Sequence, residues 1–273
     1  MTQDERREYL IQALLAEMPQ YQDIGIPVDE EGRKKVLRSL FNVRPPVPAS
    51  QEFLEIQDAY LSEETRRRGV VDSHTLEPAG SDGRLFLWQG DITRLKVDAI
   101  VNAANSALLG CFHPCHSCID NIIHTYAGIQ LRSACNEIMQ AQGYEEPLGR
   151  ARITPAYNLP CRYVLHTVGP MVTGPLTEQD KELLASCYRS CLEVGKENGV
   201  CSIAFCCIST GVFHFPQKQA AEIAVRTVRQ WLDQNHSSIR VIFNVFTDTD
   251  LAIYQKLLFA QEKGGGKTIG NFG

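Results

Sequence analysis

The sequence has no long apolar run. None of its 273 residues falls in a stretch hydrophobic enough to cross a bilayer. The N-terminus, M-T-Q-D-E-R-R-E-Y-L, is charged and lacks the apolar centre of an export signal. Both absences point to the cytosol and away from a membrane. An excess of positive charge is missing too. Lys and Arg number 27 against 32 Asp and Glu, a net charge of −5. A broad phosphate-binding face needs the opposite balance, so non-specific nucleic-acid binding is not expected. No internal repeat is present. What remains is ordinary for a soluble globular protein: 44% apolar and 22% charged residues. The length suits one large domain, or one of common size with an appendage.

Cysteine, by contrast, is plentiful. In a reducing compartment the ten cysteines are thiols or metal ligands rather than disulfides. Cys135, Cys161, Cys187, Cys191, Cys201, Cys206 and Cys207 are scattered, mostly in apolar or helical contexts, and read as small buried hydrophobes. The other three lie within eight residues of each other, in the run C-F-H-P-C-H-S-C-I-D from Cys111 to Asp120. Cys111, His113, Cys115, His116 and Cys118 can all bind a transition metal, and Asp120 adds a carboxylate two residues later. Thiolate and imidazole are the donors zinc favours. Three ligands leave a coordination position open for water or substrate. A fuller shell, such as Cys111, Cys115 and Cys118 with a histidine, makes a sealed structural site.

The first 80 residues differ from the rest. Glu5 to Met18 carries Leu10, Ile11, Leu14 and Leu15 at helical spacing. Asp29 is placed to cap a second helix with Val36, Leu37, Leu40 and Phe41 on its apolar face. Pro45, Pro46 and Pro48 break the chain before a third helix, Ser50 to about Arg67, with Phe53, Leu54, Ile56 and Leu61 inward. Gly69 and the turn Gly80 to Gly83 mark a linker. Residues 1–80 are therefore expected to form a helical N-terminal extension, a small cap packed on a main domain over 81–263, with either a regulatory or stabilising role or a direct catalytic one.

From Arg84 strands alternate with helices. Strands are expected at 84–89, 97–101, 162–168, 201–208 and 239–246, and helices at 119–142, 177–198, 217–234 and 248–261. This alternation implies an α/β fold with a largely parallel, buried sheet and helices on both faces. Ligands bind such sheets at the carboxyl ends of the strands. The chemistry-bearing loops follow strand ends: Gly90-Asp91, Asn102 to Cys118, and Ser209 to Phe215. The final G-G-G-K-T-I-G follows the last helix with no strand before it, so 264–273 reads as a flexible tail rather than a phosphate loop.

Three segments together resemble the macrodomain family of ADP-ribose-binding and ADP-ribose-hydrolysing proteins. They are G-D-I-T-R-L-K-V-D-A-I-V-N-A-A-N (Gly90 to Asn105), Y-V-L-H-T-V-G-P (Tyr163 to Pro170) and S-I-A-F-C-C-I-S-T-G-V-F (Ser202 to Phe213). The resemblance runs from about residue 84 to 260 in the family's order. It implies a three-layer α/β/α fold with a mixed, largely parallel sheet. It also implies an ADP-ribose site built from Asp91, Ile92, Asn105, Ser209, Thr210, Gly211, Val212, Phe213 and Phe246. Asp91 can accept a hydrogen bond from the adenine amine. Asn105 can serve ribose hydroxyls. Ser209, Thr210 and Gly211 present N–H groups and hydroxyls to a diphosphate. Phe246 either stacks on adenine or fills the core.

The chain departs from the common family pattern after V-N-A-A-N. The usual run of glycines is replaced by G-C-F-H-P-C-H-S-C, while Ile119, Asp120 and His124 match the helix start that follows. This replacement is similar to the zinc-dependent microbial branch of the family, whose C-x-x-x-x-H-x-C arrangement falls on Cys111, His116 and Cys118. That branch implies one zinc per chain, held by these three residues, and an activity removing mono-ADP-ribose from proteins. It implies Asp120, with Asn105, in the reaction, Asp120 orienting ribose hydroxyls or acting as base toward water. The ADP-ribosylated partner implied is a lipoyl-carrier protein of the glycine-cleavage type, modified by a sirtuin-type transferase. A non-catalytic ADP-ribose reader with a structural zinc, a zinc-stabilised interaction scaffold and a hydrolase of O-acetyl-ADP-ribose are the competing readings.

Overall fold

The computed structural model describes residues 1–259. The tail expected at 264–273, and the last residues assigned to the main domain and its final helix, lie outside them.

Three helices form the N-terminal extension: α1 (Gln3–Glu17), α2 (Glu30–Val43) and α3 (Gln51–Arg68). Each begins where a short polar side chain caps free backbone N–H groups. Thr2 and Glu5 form a reciprocal capping box, Asp29 accepts from Gly32 N–H, and Ser50 accepts from Phe53 N–H. The apolar faces meet in one small core containing Leu10, Ile11, Leu14, Leu37, Leu40, Phe41, Phe53 and Leu61. Tyr60 belongs to it as well, whereas Leu54 and Ile56 are only partly buried. Ile129 from the main domain closes this core, so the extension is not sealed on its own.

A short strand, β1 (Val71–Asp72), lies in the stretch leading into the main domain, which holds the remaining strands and helices. The strands are β2 (Leu85–Gln89), β3 (Leu95–Lys96), β4 (Ala99–Ala103), β5 (Ala151–Pro155), β6 (Tyr163–Thr167), β7 (Ser202–Phe205) and β8 (Arg240–Val245). The helices are α4 (Ile119–Ala127), α5 (Ile129–Gln142), α6 (Glu178–Glu197), α7 (Gln217–Gln234) and α8 (Asp248–Phe259). Six strands form one sheet in the order β2-β8-β7-β4-β6-β5. All neighbours are parallel except β5, which runs antiparallel to β6. The central strands are covered on both faces: Ile100, Val101, Val164, Leu165, Ile203, Val241 and Ile242 are fully buried.

Four differences from the sequence reading have physical causes. Strand β5 was not expected, because A-R-I-T-P is an edge strand, only half-buried, and carries no apolar run. The helix expected at 119–142 is two helices, because Gly128 adopts φ +97. A Cβ there would come within 2.7 Å of the Gln57 and Gln130 side chains. The strand expected at 97–101 is β4, displaced so that Asn102 and Ala103 complete it. Finally, the stretch read as a linker is tied down. Its β1 pairs with β3, and a Cβ on Gly80 would lie 2.1 Å from the carbonyl of Leu258.

Candidate active site and metal centre

The loops after β2, β4, β7 and β8 meet at one end of the sheet around a cleft of about 480 Å³. That volume is in the range of nucleotide-sized ligand sites. Asp91, Ile92, Ser209, Thr210, Gly211, Val212, Phe213 and Phe246 all line it, together with His116, Ser117 and Cys118 of the metal-ligand run. One wall thus carries the residues expected to meet a nucleotide, and the other carries potential metal donors.

At the first wall Asp91 follows β2 by two residues and caps the turn that comes next. Its Oδ1 accepts from the backbone N–H of Thr93 at 3.0 Å and from the Thr93 hydroxyl at 2.6 Å. Its Oδ2 accepts from Arg68 at the end of α3, at 2.9 Å. The guanidinium lies 3.4 Å from the centroid of Tyr126. Asp91 is therefore aimed by the extension, with lone-pair capacity left on Oδ2. Opposite, Ser209 adopts φ +64, uncommon for a residue with a side chain, in the turn that carries Thr210 to Phe213. Phe246 is 75% exposed at the end of β8, so it fills no core and stands over the cleft.

At the second wall one donor atom each from Cys111, His116 and Cys118 lie within 4.8 Å of one another. Cys111 Sγ is 3.7 Å from His116 Nδ1. Cys118 is the N-cap of α4, its sulfur accepting from Asn121 N–H. Burial pushes the Cys118 thiol up to about 12, despite that hydrogen bond, and the neighbouring Cys111 sulfur adds to the rise. A half-buried pair of thiols beside an imidazole fits a cation that replaces the thiol protons. Cys115 is turned away, with Sγ 3.2 Å from the Ser39 hydroxyl and 3.4 Å from the Lys35 carbonyl on α2. His113 is exposed, edge-on to His116 at 5.5 Å between ring centroids. The set built on Cys111, Cys115 and Cys118 is not gathered.

Asp120 and Asn105 stand behind the cleft rather than on its surface. Asp120 is 5% exposed in the first turn of α4. Its Oδ1 accepts from Asn102 at 2.8 Å and its Oδ2 from Asn105 at 3.4 Å. Burial pushes its carboxyl up to about 6, opposed by the Asn102 hydrogen bond and the charge of Arg132. Asn105 also donates to the carbonyl of Gly110 at 3.1 Å and accepts from Ala107 N–H at 3.0 Å. Its amide is largely committed to shaping the start of the metal loop, more than free service to a ribose would allow. Four residues around the site were not singled out from sequence: Arg68, Asn102, Asn121 and Arg132. Among them only Asn102 sits in a segment that carried a resemblance.

The sheet order, the loops gathered at the strand ends and this cleft define a class. The chain belongs to the Macro domain family, whose family model matches residues 101–224. It is 58% identical to a protein-ADP-ribose hydrolase from Treponema medium, over 94% of this chain and 100% of that one. It is 50% identical to a protein-ADP-ribose hydrolase from Staphylococcus aureus, over 92% of this chain and 94% of that one. Among solved structures it is similar to a Trypanosoma brucei macrodomain in complex with ADP-ribose. There the TM-score is 0.63 and the identity 31%, covering 81% of this chain and 94% of the other.

Proposed function

We propose that this protein is a zinc-dependent protein-ADP-ribose hydrolase. The observation that carries the reading is a cluster of three metal donors, of which His116 and Cys118 line a nucleotide-sized cleft, with a buried carboxylate, Asp120, in the first turn of α4 close by. The names of the relatives supply the substrate class, an ADP-ribosylated protein. When bound, zinc supplies a Lewis acid for a distal-ribose hydroxyl or an acidified water. Asp91 accepts from the adenine amine, Phe246 stacks on the ring, and the backbone of Ser209 to Phe213 holds the diphosphate. This anchoring fixes the distal ribose in orientation at the bond to be broken. Asp120, steadied by Asn102 and Asn105, orients a ribose hydroxyl or takes a proton from water.

The modified protein in this reading is a lipoyl carrier of the glycine-cleavage type that a sirtuin-type transferase has ADP-ribosylated, and the compartment is the cytoplasm. Among the described residues no helix is long and apolar enough to cross a membrane.

The test follows an ADP-ribosylated carrier by intact mass, with and without chelator, while calorimetry follows ADP-ribose binding in the same preparation. Removal of zinc should abolish hydrolysis and leave ADP-ribose binding nearly intact. Unchanged hydrolysis after confirmed zinc removal overturns the catalytic metal.

A further inference from the structure

We propose that Arg38 of α2, acting with Asn121 of α4, is a positioning residue that holds the metal loop with its three donors together. The proposal rests on the zinc reading above. The loop from Ser106 to Ser117 has no helix or strand. Sequence spacing therefore leaves its donors free to point in several directions, and something outside the loop must choose one.

Asn121 is fully buried. Its Nδ2 donates to the carbonyl of Cys111 at 3.3 Å and to that of His113 at 2.9 Å. Its backbone N–H donates to the Cys118 sulfur at 3.4 Å. Its Oδ1 accepts from Arg38 at 2.8 Å, and the same Arg38 nitrogen donates to the carbonyl of His116 at 2.7 Å. Each of the three donor residues is thus gripped by Asn121 or by Arg38, and the two grips are joined to each other.

The neighbouring contacts on α2 do the opposite for Cys115. Asn42 Oδ1 accepts from Cys115 N–H at 2.9 Å, where the chain takes φ +52. Ser39 meets its sulfur. One face of the helical extension therefore holds one thiol away from the cluster, clamps the backbone at His116 and bonds the Asn121 side chain that holds the rest. Outer residues that orient ligands in this way usually change metal affinity about 10–100-fold when removed. Arg38 is only half-buried, so its loss need not empty a core.

The deciding experiment measures zinc affinity of the full chain by competition with a chromophoric chelator, and records the visible spectrum of the cobalt-substituted protein. Arg38→Ala should bind zinc about 10–100-fold more weakly and show an altered cobalt spectrum. ADP-ribose binding and melting of the metal-free protein should stay as in the wild type. Arg38→Lys should recover part of the affinity, since an ammonium keeps the charge without the planar fork. If Arg38→Ala fails to fold, Arg38→Gln is read by the same criterion. Equal zinc affinity in the wild type and the folded Arg38 variant overturns this proposal alone. A wild type that takes up no zinc overturns the metal reading and this one with it.

Discussion

Gly211 illustrates what a single residue in this site is for. Its chain neighbours aside, no atom of the described residues lies within 4 Å of where its Cβ would stand, and its backbone does not adopt the left-handed conformation that favours glycine. The fold therefore places no demand for glycine there, and the open space belongs to the cleft. Gly211→Val should leave thermal stability nearly unchanged and raise the ADP-ribose dissociation constant at least about tenfold, roughly 1.4 kcal/mol. Calorimetry with wild-type affinity would remove this loop from the diphosphate site. Residue types were the most legible part of the chain. Sulfur and imidazole donors at close spacing are visible in the sequence wherever they fold. Asn121 was not legible, because one asparagine inside I-D-N-I-I-H looks like any polar helical position. Its work depends on Arg38, which is 83 residues away in sequence.

At the scale of elements, strands β4, β6 and β5 are joined by a buried histidine. Asn102 Nδ2 on β4 donates to His166 Nδ1 at 3.2 Å, and Nε2 faces the Thr154 hydroxyl on β5 at 3.0 Å. Burial pulls His166 down to about 4, and His124 is lowered in the same direction. The unfolded chain takes up these protons near the ordinary histidine value, whereas the folded chain resists until lower pH. The unfolded state thus binds more protons between about pH 6.5 and 4, and stability falls as pH drops through that window. His166 alone accounts for up to about 3 kcal/mol. Urea unfolding of His166→Gln should show a shallower loss over this window. An unchanged pH slope would show that His166 does not carry this dependence. Strands buried on both faces were legible from their apolar runs. Edge strand β5 was not, since its place comes from pairing with β6 and from Thr154 meeting His166 rather than from its own composition. The break at Gly128 was also hidden, because apolar spacing continues across it.

For the whole molecule the question is whether the extension is an appendage. Ile129 completes its core, and Gln57 of α3 accepts from Ile129 N–H at 2.9 Å. Arg132 of α5 donates to the carbonyls of Phe41 and Arg44, and Arg68 reaches Asp91 in the cleft. These shared contacts predict one cooperative unfolding transition. Leu14→Ala, at a fully buried position of α1, should lower stability by about 2–5 kcal/mol and shift that single transition as a unit. A separate early transition for the helices in calorimetry would show an independent module.

What the sequence by itself determined is local: which donors are present, where helices are capped, and which strands are apolar enough to be central. These follow from side-chain chemistry and spacing along one stretch of chain. Which donors face one another, and what steadies the carboxylate behind them, only the tertiary structure decided. Cys115 and Cys118 are three residues apart and chemically identical. They part company because Ser39, 76 residues from Cys115, meets one thiol, while the first turn of α4 meets the other. Spacing along an irregular loop does not set direction; contacts from distant elements do.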